Sequence, residues 1–339
     1  MNTSRTLIAV CLMIGVYGCA PLQTVTNNEH WVAIPIPFIP VAINDAGLIV
    51  GNVPNGGPAS YLDGTVTNLP PESGVQGPFT AVDVSSNGAI LGNTGDVNFP
   101  GTFWLSGGVQ LPMGPAPVGR FVPAAINGKT AVAGAAFDSG NAYKWTANAI
   151  GYMDLPKPAA LSTGSYLLGA TDINDAGATV GYAILVPRGP AYVISWSPDA
   201  TPTLLDVATM YFGNPRILNN GDIYWMNGGS ITHKSNGTTT FEQPPQVLSF
   251  DAVSQLGRIA GTKVFSNGQQ AFTIYKGALS TLDVPNLPAG QYFRPADVNS
   301  CGNIVGAVYD SMGGAVQGYL FVRRSDVVVQ NCDTPPVLR

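Results

Sequence analysis

Histidine is almost missing from this 339-residue chain: His30 and His233 are the whole supply. Two imidazoles so far apart give no material for a histidine-based triad or zinc site, and no HExxH, GxSxG, CxxC, phosphate-loop or EF-hand pattern occurs. Glutamate is nearly as scarce, confined to Glu29, Glu72 and Glu242, so a paired-carboxylate hydrolase or lyase would have to work with aspartate. No catalytic residue, metal or cofactor is therefore assigned. Charge of either sign is thin: 10% of residues are charged, the net is −5, and the longest basic run is Arg323-Arg324. That balance argues against nucleic acid or an anionic lipid surface as partner.

Cysteine is limited to four residues. Cys11 lies in an apolar stretch of twelve, Leu7 to Gly18, which follows Arg5 and is too short to span a bilayer but suits the core of an export signal. The stretch ends Val16-Tyr17-Gly18-Cys19, which resembles a bacterial lipobox. That resemblance implies cleavage before Cys19 and lipidation of its thiol. The expected anatomy is a lipoprotein signal over 1–18, a lipidated tether over 19–29, one domain over 30–332 and a tail over 333–339. Ala20 after the Cys favours the outer membrane as destination. Cys301 and Cys332 remain, and an exported pair is read as a disulfide whose roughly 30-residue loop stabilises the fold by about 3–4 kcal/mol.

What the chain does have is glycine (41), proline (28) and 45% hydrophobic residues. Such a composition suits many short strands joined by tight turns, with ample apolar material for a core. One phrase recurs seven times: "AINDAGLIVG" (42–51), "VDVSSNGAILG" (82–92), "AAINGKTAVAG" (124–134), "TDINDAGATVG" (171–181), "RILNNGDIYW" (216–225), "DAVSQLGRIAG" (251–261) and "ADVNSCGNIVG" (296–306). The turn glycines Gly47, Gly88, Gly128, Gly177, Gly221, Gly257 and Gly302 are 41, 40, 49, 44, 36 and 45 residues apart. A period of about 40–45 residues is that of a four-stranded propeller blade. Each phrase reads as a strand end, a turn and a return strand, with Asp45 and Asp175 as turn caps. Period-two pairs in the third strand, such as Tyr143 with Trp145, Ile194 with Trp196, Phe272 with Ile274 and Tyr319 with Phe321, are expected to pack one sheet on the next. The fifth unit is weakest, with only Ile231 and Phe241 where other units carry stronger signals.

The phrases resemble the HAF-type extracellular repeat family, whose unit reads roughly A-x-D-I-N-D-x-G-x-I-V-G followed by A-F-x-W. The likeness is best at 42–51, 171–181 and 296–306, although "NAY", "PAY" and "QAF" lack the naming histidine. It implies a propeller-like layout and no established activity. The expected fold is all-β, a β-propeller of seven four-stranded blades closed by an N-terminal strand, Trp31 to Pro37, with Val327 to Val329 competing for that place.

If the recurring turns share one rim, the opposite rim carries the segments that differ between repeats. Candidate ligand-binding residues there are Arg120, Phe121, Arg216, Tyr292 and Arg294 in the crossings between units, and Asp138, Tyr182, Arg188 and Asp310 in the second-to-third connections. Arginine offers a planar fork and tyrosine an amphipathic platform, which suits a carboxylate, an anionic sugar or a protein loop. His30 and His233 are read as exposed or packed, and Asn236-Gly237-Thr238 as a hairpin turn. The reading is a monomeric, lipid-anchored binding module for a protein, peptide or glycan. The alternative is a carbohydrate-active hydrolase or lyase using loop carboxylates.

Overall fold

The computed structural model describes residues 31–71, 79–96, 100–105, 110–115, 120–136, 138–147, 151–187, 189–208, 214–242, 247–265 and 268–323. The strands form seven four-stranded antiparallel sheets, the blades of a β-propeller. Blade 1 is built from Ile39–Ile43, Ile49–Asn52, Pro58–Leu62 and Thr65–Asn68. Blade 2 uses Thr80–Val84, Ile90–Asn93, Gly101–Trp104 and Gln110–Pro112. Blade 3 uses Phe121–Ile126, Ala131–Ala136, Asn141–Thr146 and Gly151–Leu155. Blade 4 uses Tyr166–Ile173, Thr179–Leu185, Ala191–Trp196 and Pro202–Ala208. The fifth unit also forms a complete blade: Arg216–Ile217, Ile223–Asn227, Ser230–Ser235 and Thr238–Glu242. Blade 6 is Val247–Val253, Ile259–Phe265, Gly268–Tyr275 and Ala278–Leu282.

Blade 7 takes Tyr292–Val298, Ile304–Tyr309 and Ala315–Arg323 from the end of the chain and its outer strand, Trp31–Ile36, from the beginning. The register runs antiparallel from Trp31 opposite Arg323 to Ile36 opposite Gly318. The ring is thus closed by the N-terminal strand, while Val327 to Val329 lie outside the described residues. The beginning and the end of the described chain share one sheet, so opening the ring means breaking strand pairing as well as side-chain contacts.

Seven apolar clusters fill the seven gaps between neighbouring blades. The third-strand aromatics lie there: Trp196, Phe272 and Phe321 are fully buried, and Trp145 stacks on Phe103 of blade 2 at 5.1 Å. Trp196 also donates its indole N–H to the carbonyl of Pro156 at 2.7 Å, and Trp104 does the same to Pro70 at 2.9 Å. Aromatic burial and a satisfied indole so occur together at a blade interface.

The glycine that ends most of the repeated phrases has its own cause. In every blade except the fifth, the inner strand carries a bulge just before the turn, at Pro40/Ala42, Ala81/Asp83, Pro123/Ala125, Ala170/Asp172, Phe250/Ala252 and Pro295/Asp297. The facing residue of the second strand is glycine each time. A Cβ at Gly181 would sit 1.9 Å from the carbonyl oxygen of Gly169. Blade 5 has Trp225 in place of that glycine and no bulge in its inner pair. At Gly51, Gly134, Gly181, Gly261 and Gly306 the bulge pushes a backbone carbonyl into the space a side chain would need, and at Gly92 the Trp104 ring fills it.

Candidate functional site

The inner strands line a central channel. Each is an edge strand, so its outward N–H groups have no partner in their own blade and must find one or be buried unpaired. Three aspartates meet this demand. Asp83, Asp172 and Asp297 stand two residues before the turns of blades 2, 4 and 7. Asp297 accepts from Val298 N at 2.8 Å and from Ile43 N of blade 1 at 2.9 Å. Asp83 spans Val84 and Ile126 of blade 3 in the same way, and Asp172 spans Ile173 and Ile217 of blade 5. A carboxylate suits this position because both of its oxygens only accept.

Enclosure is costly for these acids. Burial pushes the Asp83 carboxyl up to about 7 and that of Asp297 up to about 6, and raises that of Asp172, although the donated N–H bonds pull each the other way. The corresponding residue of blade 5 is Arg216, whose guanidinium partly offsets the cost at Asp172 and Asp297. The corresponding residues of blades 1, 3 and 6 are Ala42, Ala125 and Ala252, so no two neighbouring blades both carry an acid here.

A second tier lies at the recurring turns. Asn44, Asn127, Asn174 and Asn299 each accept the N–H four residues on with the side-chain oxygen, closing their own turn. Each then donates its amide to a backbone carbonyl of the next blade, at 2.8–3.1 Å. Asp45 and Asp175 are not the caps of their own turns, because the preceding asparagine already fills that role. Their carboxylates reach sideways instead, Asp45 to Ser300 N and Oγ at 2.7 and 2.8 Å, and Asp175 to Gly128 N at 2.6 Å. A cavity of about 210 Å³ opens among these turns, lined from all seven blades. Its aspartate and asparagine side chains are spent on holding blades together.

The opposite rim carries the crossings and the second-to-third connections. Blades 6 and 7 present the most developed group there. Arg294 directs Nε and Nη2 onto Asp251 Oδ1 at 2.9 and 2.8 Å, and Asp251 is only 5% exposed while Arg294 is 50% exposed. Ser249 Oγ donates to the other Asp251 oxygen at 2.7 Å, and Arg216 Nη2 donates to the Asp251 carbonyl at 3.2 Å. Burial raises the Asp251 carboxyl, and the two arginines oppose that. Tyr292 and Tyr309 stack beside Arg294 with centroids 5.8 Å apart and planes 20° from parallel. At the next turn Asp310 Oδ1 accepts from Met312 N and Gly314 N, which holds Met312 out at 91% exposure.

The residues expected from sequence divide accordingly. Tyr292, Arg294 and Asp310 belong to this one group. Arg120 and Asp138 meet elsewhere on the same rim, where Arg120 N donates to Asp138 Oδ2 at 2.9 Å. Phe121 is no rim residue: it is 1% exposed and meets the Tyr152 ring edge-on, since the inner strand turns it between blades. Tyr182 sits within the second strand of blade 4 opposite Gly169, its ring filling the space that glycine leaves, and not in a loop. Arg216 points into the channel. Arg188, Cys332 and His30 lie outside the described residues. His233 is packed, stacked on Tyr224 at 4.2 Å. Sequence reading missed Asp251, Ser249, Tyr309 and Met312, and it missed the bridging role of Asp83, Asp172 and Asp297. For the bridging acids a signal existed, an aspartate two residues before the turn in three of the phrases. Among the described residues no group of three His, Cys, Asp or Glu side chains is placed to hold a metal ion, and no helix is long and apolar enough to cross a membrane.

No family model and no curated protein matches the chain. Solved structures do match, and they share its fold. A streptogramin B lyase superimposes with a TM-score of 0.56 at 13% identity, covering 87% of this chain and 98% of the other. YCF48 bound to D1 peptide gives 0.54 at 17% identity, covering 86% and 96%. A chain of a mitotic checkpoint complex gives 0.52 at 12% identity, covering 92% and 99%. At such identities the likeness defines the class, a β-propeller, and the three differ in what their names say they do.

Proposed function

We propose that the protein is a non-catalytic binding module of the bacterial cell envelope, tethered by lipid on Cys19, whose crossing rim takes a protein or peptide partner. The observation that carries this reading is how the rim spends its side chains. The carboxylates of Asp138, Asp251 and Asp310 are each engaged with backbone N–H groups or with Arg294, so none of these three described rim acids is free for acid and base work. Arg294, Tyr292, Tyr309 and Met312 meanwhile project from a rigid strand and a capped turn, the residue types that anchor partners. Two fold neighbours support a partner-binding role, one structure holding a D1 peptide and one being a checkpoint complex. The repeat phrases keep the chain beside the HAF-type family, which implies no activity that competes with this reading.

Site-specific photo-crosslinking in intact cells tests it. A benzophenone side chain at Met312 on the crossing rim is expected to trap an envelope protein, and one at Asn220 on the turn rim is not. Adducts from Asn220 alone would overturn the choice of rim. Release of a Cys19→Ser variant from the membrane fraction tests the anchor, and a variant that stays membrane-bound would refute it.

A further inference from the structure

We infer that the crossing rim of blades 6 and 7 recognises an extended peptide segment with one carboxylate side chain close to one large apolar side chain. This rests on the crossing rim being the working face. The guanidinium of Arg294 is held in one plane because Nε and Nη2 share Asp251 Oδ1. Nη1 takes no part in those two bonds, on a side chain that is half exposed. Arg294 balances the Asp251 carboxylate, while Arg216 donates to the Asp251 carbonyl and faces Asp172 and Asp297 in the channel, so what attracts an acid here is the exposed, directed guanidinium edge and not a surplus of charge. A fixed guanidinium edge is a pre-organised donor for a carboxylate, with little ordering left to do on binding.

The apolar half lies one residue away. Phe293, on the other face of the same strand, contributes to a pocket of about 180 Å³ with Ala271, Leu282, Val284 and Leu287. Gln270 stands at its edge, tied to Asp283 at 2.6 Å. Successive residues of a strand face opposite ways, so cationic edge and apolar pocket flank a single backbone, a spacing that an extended partner matches with its own alternation. Charge complementarity selects among occupants. Asp283 and Asp310 also stand on this rim, so repulsion grows with each charge a ligand carries, and one carboxylate seated on Arg294 meets less of it than a polyanion. A neutral glycan would meet the Arg294 edge with hydroxyls alone, without the charge-assisted two-oxygen bond, and the two tyrosines already cover one face of each other.

The test is selection of a random heptapeptide phage library on the detergent-solubilised full chain. Winning peptides and their acid-to-amide counterparts are then measured as fluorescein conjugates by anisotropy. Winners are expected to carry Asp or Glu beside Leu, Ile, Met or Phe, and the amide forms to bind at least about tenfold more weakly. Arg294→Lys, which keeps a cation on Asp251 but loses the planar fork, should erase the acid preference. Met312→Ser, at a side chain too exposed to affect folding, should weaken binding severalfold. Amide peptides that bind as well as the acids, a selection without acid preference, or no selected peptide at all would overturn the proposal. Loss of binding in Met312→Ser with indifference to the acid would sink the carboxylate clamp and leave the rim standing. Binding untouched by both variants but lost on substitution of Asn220 would sink the rim itself.

Discussion

Replacing Asp297 by Asn puts the inter-blade bridge to a quantitative test where the ring closes. Both oxygens of Asp297 accept backbone N–H groups, from Val298 and from Ile43 across the closure. An amide offers one acceptor, so one N–H then faces a donor, at a cost of about 1–3 kcal/mol. Against that, the carboxyl is raised from 3.8 to about 6, mainly by burial. A raised acid holds its proton in the folded state over a window where the unfolded chain has lost it. Its contribution is therefore fully present below about pH 4 and is lost as pH rises through about 6. At about 1.36 kcal/mol per pKa unit, the wild type forfeits roughly 2 kcal/mol at this site between pH 4 and pH 7.5. The substituted amide titrates nowhere, and its loss of charge also relieves the repulsion that Asp297 exerts on Asp83, a smaller effect there than burial. The expected result is that the deficit of Asp297→Asn against wild type is larger at pH 4 than at pH 7.5, by roughly 2 kcal/mol. Urea unfolding followed by tryptophan fluorescence at the two pH values reads the difference. A stability gap that stays constant within about 0.5 kcal/mol, or that widens toward pH 7.5, would refute both the enclosed carboxylate and its sign.

Other consequences follow from the same geometry. Gly181→Ala places a methyl against the Gly169 carbonyl at the bulge and is expected to cost about 2–4 kcal/mol, seen as a lower urea midpoint; a neutral outcome would mean the bulge is not what selects glycine. Asn174→Ala removes both the closure of its own turn and the tie to Leu218 O, for about 2–3 kcal/mol, whereas Asn220→Ala on the exposed tip of the neighbouring turn should change the midpoint little. If Cys301 pairs with Cys332, peptide mapping without reductant recovers the two joined, and Cys301→Ser lowers stability by about 3–4 kcal/mol; separate, alkylatable thiols in the protein isolated without reductant would refute the pairing.

Much of the fold is legible in the chain because a blade is a local object. Its four strands are consecutive, its turns need Asn and Gly at set places, and its apolar residues alternate, so a phrase such as "TDINDAGATVG" states its own geometry. Even blade 5, weak in signal at Ile231 and Phe241, folds as the count requires. The site was less legible because it depends on which way a residue faces. Phe121 and Arg120 are neighbours in a crossing, yet the first is core and the second is exposed. Tyr182 follows a turn phrase by one residue and so read as a loop, but the second strand runs on through Leu185. Asp251 carried no signal, since its partner Arg294 is 43 residues away in the next blade.

The chain by itself determined the blade and a repeat that reads as seven of them, because both follow from short-range periodicity and turn chemistry, whereas the competition between 31–37 and 327–329 for the closing strand was decided by the pairing of Trp31–Ile36 with Ala315–Arg323. Only the tertiary structure decided what the polar residues are for. Asp83, Asp172 and Asp297 look like spare acids along the chain and become bridges once curvature brings the edge N–H groups of the next blade to their second oxygen. Arg294, Asp251, Tyr292 and Tyr309 become one surface for the same reason. Inner strands far apart in sequence are neighbours around a common axis, and the distance between neighbouring blades is set by the apolar residues packed between them.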